Sequence, residues 1–160
     1  MAIEKTLFFI KPYIDFKKAE EIIEYGHSLL TGEGWLFRAV EQFRTSPQTL
    51  EFYLDFYSQI GEKYPEVLQT MASDFASCPR GLVGEVLEGK EIIERVRSVL
   101  GPSRIVEENL EWTIRGQYGH YKQDGKLHRT VAHCSTKDEV KKDFRIFKRA
   151  NIISKLHRIV

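Results

Sequence analysis

An α+β fold is predicted by short apolar runs of β character, by amphipathic helical stretches between them, and by turn residues at most junctions. Thr6-Leu-Phe-Phe-Ile10 is closed by Lys11-Pro12 and reads as a buried strand. From Phe16 to Leu30, the residues Ala19, Ile22, Ile23, Leu29 and Leu30 recur near helical spacing with charges between them. That pattern predicts an amphipathic helix, stopped by Gly32 and Gly34. Trp35 to Arg44 sets Trp35, Phe37, Ala39 and Glu41 against Leu36, Arg38, Val40 and Gln42, which predicts a strand toward the sheet edge.

Ser46-Pro47 predicts the next helix start, with serine as the cap and proline at the first helical position. The helical region holds Leu50, Tyr53, Leu54 and Tyr57, and Gly61 divides it from a second helix running through Met71. Gly81 to Leu87 returns to strand and Lys90 to Leu100 to amphipathic helix. Gly101 to Glu111, with Pro102 inside it, reads as a long irregular loop. His128 to Ala132 is the last strand and Thr136 to Ala150 a charged helix. This order predicts a ferredoxin-like arrangement, an antiparallel sheet with helices packed on one face. With no repeat or low-complexity linker, residues 1–160 are expected to form a single domain.

A hydrophobic fraction of 42% with 29% charged residues is that of a soluble globular protein. The net charge of +1 predicts neither a nucleic-acid nor a membrane partner. Lys137, Lys141 and Lys142 alternate with Asp138, Glu139 and Asp143, so this run reads as a solvated helix face. Cys78 and Cys134 are too few for a disulfide framework and are not spaced as metal ligands. No stretch approaches the ~18 apolar residues of a membrane span, and the strand pattern begins too early for a signal peptide. A cytoplasmic location is expected.

His133 carries the chemistry. A β-favouring stretch delivers its imidazole into small polar residues, Leu127-His-Arg-Thr-Val-Ala-His-Cys-Ser135. A neutral imidazole, with an ordinary pKa of ~6.5, has a free lone pair and attacks without a separate base. An oriented carboxylate would hold its tautomer. Taken alone, a histidine after a strand is more often packed or at the surface. Arg97 and Arg115 are candidate phosphate clamps, because a guanidinium fork binds phosphate oxygens bidentately. Gly116 is expected to let a substrate approach its backbone. Lys11 leaves a strand end, where lysines are usually just exposed, and Tyr53 shares a helix stripe with Leu50. Gly81-Leu-Val-Gly84 lacks the spacing of a P-loop.

In order and spacing, Lys5-Thr-Leu-Phe-Phe-Ile-Lys-Pro12, Phe52-Tyr53, Arg97-Ser-Val-Leu-Gly101, Thr113-Ile-Arg-Gly116 and His133-Cys-Ser135 stand together. From Glu4 to Phe147 the chain resembles the nucleoside diphosphate kinase family. The resemblance implies that His133 is the nucleophile, that Lys11 is the active-site lysine, and that Tyr53 positions the histidine and contacts phosphate. It implies that Arg97 and Arg115 bind nucleotide phosphates, that Ser103 takes the place of a phosphate-binding threonine, and that Asp143 hydrogen-bonds the imidazole. Thr130 stands where the family has an asparagine on the ribose 3′-hydroxyl, and its shorter hydroxyl offers one donor. Tyr64 takes the place of the base-stacking phenylalanine. An insertion around Lys122-Gln-Asp-Gly-Lys126 predicts a longer hairpin with an Asp-Gly turn.

The function so implied is transfer of a γ-phosphoryl from an NTP to an NDP by a ping-pong mechanism through phosphohistidine. Mg²⁺ would be carried with the nucleotide, and the partners would be nucleoside tri- and diphosphates, with no nucleic acid and no membrane. A homo-oligomer built from dimers, commonly a hexamer, is implied as well. A reading from another class keeps the fold but makes it a catalytically weak or inactive nucleotide-binding or interaction module. Thr130 and the altered loop from Gly101 to Glu111 are the residues that separate the two.

Overall fold

Phe8 and Phe9 are neighbours on a strand, so their rings leave the sheet on opposite faces. Both faces are covered. The computed structural model describes residues 2–102, 110–121 and 128–159. In chain order the elements begin with β1 (Ile3–Ile10), α1 (Phe16–Gly32), β2 (Phe37–Arg44), α2 (Leu50–Phe56), α3 (Ser58–Lys63) and α4 (Pro65–Ala76). There follow β3 (Val83–Lys90), α5 (Ile92–Leu100), α6 (Ile114–Tyr118), β4 (His120–Tyr121), β5 (His128–Arg129), β6 (Ala132–Cys134) and α7 (Val140–Arg149).

The main sheet has the order β2-β3-β1-β6, and every pairing in it is antiparallel. In its register Phe9 lies opposite both Gly84 and His133, while Phe8 lies opposite Glu85 and Cys134. The Phe9 ring meets Phe56 of α2 and Phe147 of α7 at 5.6 and 5.5 Å between centroids. The Phe8 ring packs instead against α1 at Gly26. The expectation of helices on one face is therefore corrected: α1 lies on one side, α2 and α7 on the other. The cause is visible in Leu7-Phe-Phe-Ile10, where all four residues are buried. A continuous apolar run, unlike an alternating one, needs cover on both sides.

Local chemistry explains where the boundaries moved. Asp15 caps α1, its carboxylate accepting from the Lys18 N–H at 2.8 Å. The second helical region starts at Leu50 rather than at Ser46-Pro47, because the Thr49 hydroxyl accepts from the Phe52 N–H at 3.2 Å and makes the cap. Gly61 lies inside α3 and divides nothing. The break falls at Tyr64-Pro65, since a residue before proline is pushed out of the helical region and Tyr64 sits at φ −138°, ψ 70°. The last strand of the sheet is Ala132–Cys134, not His128 to Ala132, so His133 stands within a strand rather than in the turn after it. His128–Arg129 pairs antiparallel with His120–Tyr121, and the predicted Asp-Gly turn between them lies outside the described residues. So does most of the loop from Gly101 to Glu111.

Edge strand β2 was anticipated, and a bulge between Ala39 and Glu41 interrupts its register with β3. Among the described residues no helix is long and apolar enough to cross a membrane.

Phe147 is the hub of the α7 face. It is fully buried and its ring lies within 5.8 Å of Phe9, Phe43, Phe52 and Phe56. Phe147→Ala is expected to cost about 3–5 kcal/mol, read from the urea unfolding midpoint at unchanged slope. A loss below about 1 kcal/mol would show that the aromatic cluster refills the space.

Candidate active site

Antiparallel pairing with Phe9 puts His133 on the α2 and α7 face. Three aromatic rings wall it in. Phe9 stacks on the imidazole at 5.0 Å, Phe56 meets it edge-on at 5.1 Å, and Tyr57 edge-on at 6.1 Å. The fourth neighbour is polar. His133 Nε2 lies 3.3 Å from the Asp143 Oδ2, and the Ser135 hydroxyl donates to that same oxygen at 2.8 Å. Asp143 sits in the first turn of α7 and is 1% exposed, so these two donors replace the water it lost on folding.

This arrangement decides the state of the ring. Burial, aided by the Lys11 charge, lowers the His133 pKa, and Asp143 pulls it back only in part. The ring is therefore neutral at pH 7. A neutral imidazole carries one proton, and the carboxylate assigns it to Nε2, which leaves the lone pair on Nδ1.

Lys11 follows β1, and alternation along the strand sends its side chain to the face of Phe9. Its N–H donates to the Val131 carbonyl at 2.9 Å, which ties it to the segment leading into His133. The ammonium is buried over the rings of Tyr57 and Phe75, 5.6 and 5.4 Å from their centroids. Burial first, and the charge of Arg115 second, lower its pKa to about 7. Among the described residues no carboxylate offsets either effect.

Arg115 is placed by α6, a helix too short to show a period in the sequence. Thr113 caps it, accepting from the Gly116 N–H at 3.0 Å and donating to the Leu110 carbonyl at 2.7 Å. The guanidinium donates to the Gly101 carbonyl at 2.9 Å and to the Ala132 carbonyl at 3.1 Å, next to His133. Its Nε is buried without a hydrogen-bond partner among the described residues. Gly116 serves the fold rather than a substrate. A Cβ there would meet the Leu110 carbonyl at 2.1 Å, so the space expected for a ligand is filled by the chain itself. Arg97 is exposed on the last turn of α5, and its charge reaches Arg115 and the buried Cys134.

The remaining predicted residues divide. Tyr53 is fully buried against Phe52 and Phe75, and its hydroxyl has no hydrogen-bond partner among the described residues. The tyrosine whose ring meets both His133 and Lys11 is Tyr57, one turn later in the same helical region, which the sequence does not mark as a site residue. Its i+4 spacing from Tyr53 was the available clue. Thr130 is partly buried just ahead of Val131. Tyr64 stands 52% exposed at the junction of α3 and α4, apart from the rings around His133. Ser103 lies outside the described residues.

A neutral imidazole, two inward cations and a third at the rim stand together, with one carboxylate already bound by two donors. The fold is an α+β one, an antiparallel sheet with helices packed on it, and it gathers a histidine, a carboxylate and cations on one face. The chain belongs to the nucleoside diphosphate kinase family, whose model matches residues 4–152. It is 30% identical over 147 residues to the nucleoside diphosphate kinase of Aquifex aeolicus (strain VF5), covering 88% of this chain and 93% of that one. The crystal structure of the Aquifex aeolicus enzyme superimposes with a TM-score of 0.66 at 27% identity, over 99% of this chain and 100% of that one. A Borrelia burgdorferi nucleoside-diphosphate kinase, described as a transition-state mimic with bound vanadate and ADP, gives 0.65 at 22% identity, over 98% and 93% of the two chains.

Because Asp143 raises the His133 pKa against burial, Asp143→Asn is expected to lower it further. Titration of the imidazole by NMR reads this directly. A rise would mean that another group sets the protonation of the ring.

Proposed function

We propose that this chain transfers the γ-phosphoryl of a nucleoside triphosphate to a nucleoside diphosphate through a phosphohistidine at Nδ1 of His133. The observation that carries the reading is the contact between His133 Nε2 and Asp143, which puts the lone pair on the other nitrogen. In the first half-reaction Nδ1 bonds to the γ-phosphorus and the bond to the bridging β-γ oxygen breaks, so the diphosphate leaves with that electron pair. In the second, a terminal β-phosphate oxygen of another diphosphate attacks phosphorus, and the N–P bond breaks to restore the neutral ring.

Lys11 and Arg115 meet the charge that spreads over the transferring group, and Arg97 meets the outer phosphates. Tyr57 and Tyr53 shape the wall beside it. Asp143 holds the ring in the reactive tautomer and stabilises the positive charge that attack creates. Thr130 faces the sugar with a single hydroxyl, while Ser103 and Tyr64 would contact phosphate and base.

Mg²⁺ carried with the nucleotide would supply neutralisation of phosphate charge. The edge strand β2 leaves main-chain groups unpaired on one side, and this supports a homo-oligomer built from dimers. Two cysteines, too few for a disulfide framework, suit a reducing, cytoplasmic setting, and one hydrophobic core shared by elements from β1 to α7 supports a single domain.

Mass spectrometry of intact protein tests the reaction. After mixing with ATP and MgCl₂ and quenching at alkaline pH, one acid-labile phosphoryl group is expected, discharged by GDP or CDP. His133→Ala is expected to give no adduct while remaining folded. ATP binding without any adduct would favour an inactive nucleotide-binding module, for which the replacement at Thr130 is the supporting observation.

The protonation states give a second test. His133 attacks when neutral and Lys11 attracts when charged, so kcat/KM is expected to fall on the acid side, at a pH below the ordinary imidazole range, as the ring protonates, and above about pH 7 as Lys11 loses its proton. Lys11→Met should remove the alkaline limb and keep the acid one. An alkaline limb unchanged in that variant would contradict the role of Lys11.

A further inference from the structure

One stretch of chain holds Lys11 from two sides. Phe75, in the last turn of α4, presents its ring to the Lys11 ammonium, 5.4 Å from the centroid. Five residues later, between α4 and β3, Arg80 turns back to the end of β1. Its Nη2 donates to the Ile10 carbonyl at 3.3 Å and to the Lys11 carbonyl in a shorter bond. The Ile14 N–H also donates to the Lys11 carbonyl, at 3.2 Å, while the Lys11 N–H is bound by the Val131 carbonyl. The peptide groups on both sides of Lys11 are thus fixed, and its side chain leaves the strand in a set direction.

This hold is costly. Arg80 is 7% exposed, and its Nε and Nη1 have no hydrogen-bond partner among the described residues. Burial pushes its pKa down to about 10, opposed only in part by Tyr53, Cys78 and Asp15. A neutral donor would satisfy the same carbonyls without burying a charge. A half-matched cation kept in the interior marks a place where local cost serves a site. Lys11 shows what is served. Its ammonium faces Arg115 from α6 and His133 from β6, with no carboxylate to offset them among the described residues. A small retreat toward water would relieve it, so the ammonium stays inward only while its backbone is held. The Phe75 ring that supports it also meets Tyr53 and Tyr57, at 5.4 and 5.8 Å, which places the Phe75 to Arg80 stretch against the wall of the site.

We propose that Arg80 is a positioning residue for phosphoryl transfer: through the Lys11 carbonyl it fixes the point at which the Lys11 ammonium meets the transferring group. The role rests on the phosphotransfer reading above and adds a residue to it. Arg80 acts by way of Lys11 and not on the phosphate itself.

Two measurements on the whole protein test the role. The first is the pH titration of the Lys11 ammonium, followed by ¹³C NMR at Cε, in the unaltered protein and in Arg80→Met. Its pKa is expected to rise in the variant from about 7 toward the ordinary lysine range, as the ammonium moves out to water. The titration needs no turnover, so it judges Arg80 even where the unaltered protein forms no phosphoenzyme. The second is the rate of phosphoenzyme formation with ATP and MgCl₂ in the unaltered protein, Arg80→Met, Lys11→Met and the double variant. Arg80→Met is expected to slow it by about tenfold or more, as a displaced catalytic group does. Arg80→Lys should restore most of the rate, and the double variant should be no slower than Lys11→Met alone. If Arg80→Met does not fold, Arg80→Gln, too short to reach both carbonyls, decides with the same outcomes expected. A Lys11 titration unmoved by the loss of Arg80, or a double variant in which the two single losses multiply, would overturn the proposal.

Discussion

One carboxylate oxygen of Asp143 organises the site. It is buried with two donors converging on it, the ring of His133 and the hydroxyl of Ser135. A buried anion holds its place only while those donors stay in reach, so the carboxylate couples β6 to the start of α7. The coupling has a chemical side. By accepting a hydrogen bond from Nε2–H, Asp143 leaves the ring's lone pair on Nδ1. Aromatic rings on the other sides remove water and keep the imidazole neutral.

The cations are arranged with less compensation. Lys11 and Arg115 are brought inward by the strand end and by capped helix α6, and each lowers its affinity for a proton in doing so. Main-chain carbonyls take some of the Arg115 donors, but one buried N–H stays unmatched among the described residues. Charges held together against desolvation and each other are poised for an anion, which would relieve both costs at once. In the reading advanced above that anion is the transferring phosphoryl group. The binding energy then falls where charge develops during transfer.

Much of this was legible in the residues, and the failures have identifiable causes. The apolar run before Lys11 announced β1, and helical spacing announced α1, α5 and α7. The same run, being continuous rather than alternating, already implied cover on both faces, which the one-face expectation overlooked. Thr49 displaced Ser46 as the cap, its hydroxyl accepting from the Phe52 N–H. Gly61 was given the role that belongs to Pro65, since a glycine is tolerated in a helix and a proline restricts the residue before it. Lys11, Arg115, Asp143 and His133 come together because strand register, the capped helix α6 and the first turn of α7 align them. Tyr57 was missed because, from one sequence, a tyrosine at the i+4 position of a core stripe looks like any other packed ring. Nothing in the sequence could show that Gly116 makes room for Leu110, because that contact exists only after α6 has folded back.

The most direct test of the account is the tautomer of His133. In protein labelled with ¹⁵N-histidine at pH 7.5, long-range ¹H–¹⁵N spectra distinguish a protonated ring nitrogen from one that bears a lone pair. The account predicts a neutral His133 with its proton on Nε2 and an unprotonated Nδ1, converted to Nδ1-phosphorylated ring on addition of ATP and MgCl₂. A proton on Nδ1 in the free protein, or phosphorylation at Nε2, would contradict it, because Asp143 would then not be the group that prepares the nucleophile.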